Sequence, residues 1–104
     1  MRFLILGYDG TDSEAMARRL AVRDKHLAGS QRMYAAGHWQ DSGALLNEDG
    51  AMVGSFIICD YPSRDEMEKT WLNTEPYVLG KVWKKIEVHP IQLSPRACSY
   101  RESC

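Results

Sequence analysis

A chain of 104 residues holds a single domain with one core, not two independent ones. Hydrophobic residues make up 44% and charged residues 26%, a globular balance that excludes a disordered chain. Lys and Arg number 13 against 14 Asp and Glu, so no overall field favours nucleic acid or an anionic membrane, and any recognition of an anion must be local.

Residues 3–7 are apolar at consecutive positions and predict a strand buried on both faces, followed by turn chemistry in Asp9-Gly10-Thr11-Asp12. A short helix is expected over residues 13–20, with Glu14 in its first turn and arginines in its last. Asp24 then predicts the cap of a second helix running to about Ala36, with Leu27, Ala28, Tyr34 and Ala35 inward and Gly37 ending it. That placement puts His26 in a first turn, where the positive end of the helix dipole holds the imidazole neutral and able to accept a proton. A solvated histidine with no role fits the same spacing.

Residues 39–46 and 52–60 predict strands joined by the turn Asn47-Glu48-Asp49-Gly50. Phe56, Ile58 and Asp60 share one face of the second of these and Ser55, Ile57 and Cys59 the other, so that strand too is largely buried. Ser63 to Glu66 forms a capping box opening a helix that brings Met67 and Trp71 onto one face and ends before Pro76. Residues 81–89 alternate, with Val82, Ile86 and Val88 on one side and Lys81, Trp83, Lys85 and Glu87 on the other.

The order strand, helical region, strand, strand, helix, strand predicts an α+β chain with the split βαβ arrangement of the ferredoxin-like fold: an antiparallel sheet with helices on one face. The first and third strands are central in that topology and are the two that are apolar on both faces. Helices cover only one face, so the other is expected to be buried by a second copy, with the central strands and Trp83 or its neighbours contributing. The domain is expected over residues 1–91 and a tail over 92–104.

No run spans a bilayer, and Phe3-Leu4-Ile5-Leu6 is too brief for a signal-peptide core, so the expected compartment is the cytoplasm. Cys59, Cys98 and Cys104 include no Cys-x-x-Cys; Cys59 is expected as a buried thiol, and pairing of the two tail cysteines stays open. His26, His38 and His89 lack metal-ligand spacing, so no metal is expected. No phosphate-binding glycine loop and no nucleophile elbow is present, and Phe56 alone is too little aromatic surface for nucleic acid.

Val22-Arg23-Asp24-Lys25-His26-Leu27, Gly54-Ser55-Phe56-Ile57-Ile58, and Glu75-Pro76-Tyr77-Val78 followed by Glu87-Val88-His89-Pro90 together resemble the YciI-like (YCII-related) family over about residues 1–91. The resemblance implies a dimeric α+β barrel, in which two ferredoxin-like protomers pack sheet to sheet. The family's active-site histidine falls on His26. Its aspartate falls on Glu75, which keeps the charge and adds a methylene; Asp60, at the end of the third strand, is the other candidate acid. The family's usual Gly-Pro near the second strand is Ser42-Gly43-Ala44 here.

A His–carboxylate pair supports proton transfer, so the expected activity is cofactor-independent acid–base chemistry on a small organic acid: isomerisation, elimination or lactone opening. Arg19 and Arg23 are candidate holders of an anionic oxygen and Tyr77 a candidate hydroxyl donor. For each of these three, plain surface charge or packing is an equal alternative. A non-catalytic small-ligand-binding or stress-associated barrel is the rival class, because fold does not fix function.

Overall fold

In a computed structural model, residues 1–95 are described, and they form β1 (Arg2–Asp9), α1 (Ala15–Ala35), β2 (Trp39–Leu46), β3 (Met52–Asp60), α2 (Arg64–Thr70), a 3-10 turn (Leu72–Thr74), α3 (Pro76–Leu79) and β4 (Trp83–Ile91). The four strands make one antiparallel sheet in the order β2-β3-β1-β4, so β1 and β3 are central as their doubly apolar pattern predicts. Phe3, Ile5, Ile57 and Cys59 point to the helical side and are buried, while Leu4, Leu6, Phe56 and Ile58 point to the other face and are half-buried. Cys98 and Cys104, whose pairing the sequence leaves open, lie outside the described residues.

Two expectations are corrected. The chain does not break at Asp24: α1 is one helix of 21 residues with His26 in its middle, and Leu27, Ala28, Tyr34 and Ala35, expected inward, are exposed while Arg19, His26 and Ser30 are buried. No glycine or proline interrupts residues 15–28, and Asp24 is an exposed mid-helix side chain, so the dipole of a helix start plays no part at His26. The helix starts without a side-chain cap on Glu14; Asp12 accepts from the Glu14 N–H at 3.2 Å and from both Nη atoms of Arg18. It ends at Gly37, whose φ of 79° allows the Gly37 and His38 N–H groups to turn back onto Tyr34 and Met33.

The second correction concerns Trp83. A register shift between Tyr8 and Asp9 sets Trp83 opposite Asp9, and this irregularity turns the indole to the helical side instead of the open face. There its Nε1 donates to Ser55 Oγ at 3.4 Å, and its ring lies where a Cβ on Gly7 would sit, 2.3 Å from the nearest ring atom. Gly7 is therefore required by close approach. The open face beside β1 carries Lys85, Glu87 and His89 in its place.

Between β3 and β4, Ser63 caps α2 by accepting from the Glu66 N–H at 3.1 Å, as its capping box predicts. Met67 and Trp71 are both buried, joining Tyr61, Leu72 and Tyr77 over the sheet. This layer carries Glu75 to the side of α1.

Candidate active site

The inward stripe of α1 is polar. Arg19, Arg23, His26 and Ser30 repeat at spacings of four, three and four, which stacks them along one helix face. Arg19, His26 and Ser30 are buried there, at 3%, 8% and 5% exposure. Such groups persist in a core only when they are bonded, and each of these three is.

His26 Nδ1 lies 2.5 Å from Glu75 Oε1. Glu75 is 3% exposed and forms the N-cap of α3, accepting from the Tyr77 N–H at 3.3 Å while its Oε2 accepts from Trp71 Nε1 at 2.8 Å. Three donors thus hold one carboxylate, and Pro76 at the first helical position fixes the backbone that presents it. With Nδ1 donating to Glu75, a singly protonated ring keeps its lone pair on Nε2. The Tyr77 ring stacks on the imidazole at 4.0 Å between centroids and 16° between planes, and Trp83 and Trp39 approach it at 6.4 and 6.1 Å. The ring is thus held at Nδ1 by Glu75 and on one face by Tyr77.

Arg19 stands on the far side of Tyr77, its guanidinium carbon 4.8 Å from that ring's centroid. One Nη donates to both oxygens of Asp9 at 3.0 and 3.1 Å and the other to Ser55 Oγ at 2.9 Å, leaving Nε buried without a partner among the described residues. Burial raises the Asp9 carboxyl above its ordinary value, with Arg19 pulling the other way. Burial also raises the Tyr77 phenol, which stays protonated at neutral pH. Arg23 is different: half-buried, one turn along the same face, it has no hydrogen-bond or ion-pair partner among the described residues.

These groups surround a cavity of about 170 Å³ lined by Arg19, Arg23, His26, Ser30, Ser42, Gly43, Ala44, Met52, Ser55 and Tyr77 among others. Ser42-Gly43-Ala44 forms its β2 wall, and a side chain at Gly43 would meet Phe56 at 2.7 Å. Of the residues singled out from sequence, His26, Glu75, Arg19, Arg23 and Tyr77 come together. Asp60 does not: it lies on the open sheet face, bonded to Arg2 at 3.2 Å and 3.5 Å from the N-terminal ammonium. Parity along β3 puts it with Phe56 and Ile58, away from α1.

Three contributors escaped the sequence reading, namely Asp9, Ser55 and Trp71. Asp9 shares strand parity with Phe3, Ile5 and Gly7, and Ser55 with Ile57 and Cys59, so both were assignable to the helical side by the period-two rule alone. Nothing local marks Trp71 as a donor to Glu75. Among the described residues no group of His, Cys, Asp and Glu is placed to hold a metal ion, and no helix is long and apolar enough to cross a membrane.

A four-stranded antiparallel sheet with helices on one face and a polar cavity between helix and sheet defines an α+β protein of the ferredoxin-like fold. The YCII-related domain matches residues 1–92, and the chain belongs to that family. It is 31% identical over 98 residues to Protein YciI of Escherichia coli O6:H1, covering 88% of this chain and 97% of that one, and equally to Protein YciI of Shigella flexneri. A solved structure of 5-chloro-2-hydroxyhydroquinone dehydrochlorinase (TftG) from Burkholderia phenoliruptrix AC1100, in complex with 2,5-dihydroxybenzoquinone, is similar in fold. Its TM-score is 0.78 at 23% identity, covering 90% of this chain and 96% of that one.

Proposed function

We propose that this protein is a cofactor-independent acid–base enzyme acting on a small organic anion, with His26 as the proton-transfer group. The observation that carries the proposal is the buried His26–Glu75 contact, since a carboxylate fixed by three donors can orient an imidazole and stabilise the imidazolium formed when Nε2 takes a proton. Arg23, a cation without a hydrogen-bond or ion-pair partner among the described residues, holds the substrate's anionic oxygen as negative charge develops there. Arg19 has its Nη donors engaged by Asp9 and Ser55, so it supplies positive charge and packing against Tyr77 more than a free fork. The Tyr77 hydroxyl is a further donor.

Proton abstraction next to a carbonyl leads to isomerisation when the proton returns elsewhere and to elimination when a leaving group departs. The similar fold of a dehydrochlorinase supports the second outcome and makes 2,5-dihydroxybenzoquinone the first probe. The protein acts as a homodimer, a second copy closing over Leu4, Leu6, Phe56 and Ile58 of the open sheet face. A free, buried Cys59 thiol fits the reducing interior of the cytoplasm.

The test is a thermal-shift screen of small carboxylic acids, lactones and hydroxyquinones, followed by turnover assays on every hit. An enzyme converts at least one hit, and His26→Ala abolishes conversion. Hits that need Arg23 and are never converted make the protein a small-ligand-binding barrel instead.

A further inference from the structure

A second cavity, of about 530 Å³, lies along α1 from the first. Met52 lines both. The inner cavity is walled by two arginines, a histidine and three serines; the side-chain walls of the outer one are mainly Tyr8, Ala15, Met16, Ala51, Met52 and Val53. Met16 and Arg23 stand seven residues apart on the same face of α1, two turns or roughly 10 Å along the axis. The carboxylates in the outer wall are already engaged, Asp9 by Arg19 and Asp12 by Arg18, so that wall offers a ligand apolar surface, and its lining residues include no cation to receive a second acid group.

From this contrast we infer that the two cavities form one groove, which takes a monoanion carrying an apolar extension of roughly 10 Å: the acid group at Arg23 and the chain past Met52 against Met16 and Val53. This rests on the reading of the inner cavity as an anion site. The groove selects against two alternatives by physical means. A short acid leaves the apolar walls wet, and a dicarboxylate of the same length must strip water from its second charge beside walls that hold no cation for it.

Calorimetric titration of the intact protein with butyrate, hexanoate, octanoate and octanedioate tests it. Affinity rises from butyrate to octanoate by about tenfold, the equivalent of burying about two methylene groups. Octanedioate binds more weakly than octanoate. Met16→Glu, a first-turn substitution that the helix dipole favours, removes the gain with length and leaves butyrate binding unchanged; Arg23→Met weakens the whole series. Equal affinities along the series, with Arg23→Met still weakening all of them, overturn the groove and keep the anion site. Binding that ignores Arg23→Met, or no binding by any of the four acids, overturns both.

Discussion

His26 and Glu75 approach to 2.5 Å across the gap between the middle of α1 and the first residue before α3, and each is buried. The contact ties a helix face to a helix cap, so it has a structural consequence that an exposed histidine would lack. His26→Ala should cost about 1–3 kcal/mol of stability, because it strips a hydrogen bond from a buried carboxylate. Denaturant unfolding of the two proteins measures this, and a change under about 0.5 kcal/mol would show that the contact carries little energy.

Glu75→Gln keeps the size of the side chain and removes the charge. One amide cannot accept from His26, Trp71 and the Tyr77 N–H in the same way, since one of its two terminal atoms is now a donor. The expected loss is about 1–3 kcal/mol of stability, with catalysis reduced further by the missing stabilisation of imidazolium. Unchanged turnover with Glu75→Gln would remove the carboxylate from the chemistry.

The two arginines of the cavity should separate cleanly. Arg19→Met leaves Asp9 buried and unpaired and should destabilise by about 3–5 kcal/mol. Arg23→Met breaks no hydrogen bond or ion pair among the described residues, so its stability should stay within about 0.5 kcal/mol of the parent while anion binding falls. Thermal unfolding with and without a bound acid reads both effects.

Most of the sheet was legible in the sequence, because β1 and β3 carry apolar residues on both parities and only central strands of a one-layer helical cover need that. The helix was legible in part. An inward stripe of Arg19, Arg23, His26 and Ser30 erases the hydrophobic period that marks a long helix, so the charged residues 18–25 read as a break. Trp83 was misplaced for another reason: strict alternation from Val88 back to Lys81 cannot register the irregularity opposite Tyr8 and Asp9. Glu75 was reached by resemblance, and its choice over Asp60 needed only the parity of β3, since Asp60 falls on the face that α1 does not cover.

Alkali should unfold the protein through its buried acids. Burial pushes the Cys59 thiol from 9.0 up to about 12 and the Tyr61 phenol from 10.0 up to about 12. Both groups ionise first in the unfolded chain, so their contribution is complete below pH 9 and is lost progressively as pH rises to about 12. Melting temperatures across that window should fall, and less steeply for Cys59→Val. The same shift keeps the folded Cys59 thiol unreactive to alkylation near neutral pH.

Proton movement by His26 Nε2 on a bound small acid is read by carbon–hydrogen exchange in deuterium oxide. Enolisable acids that bind are incubated with the parent protein and with His26→Ala, and proton NMR follows the signal next to the carbonyl. With His26 as the proton-transfer group, the parent washes out the signal and the variant does so more slowly by about two to four orders of magnitude, the usual worth of a positioned acid–base group. Equal rates in the two proteins, or no exchange on any acid that binds, would contradict that role.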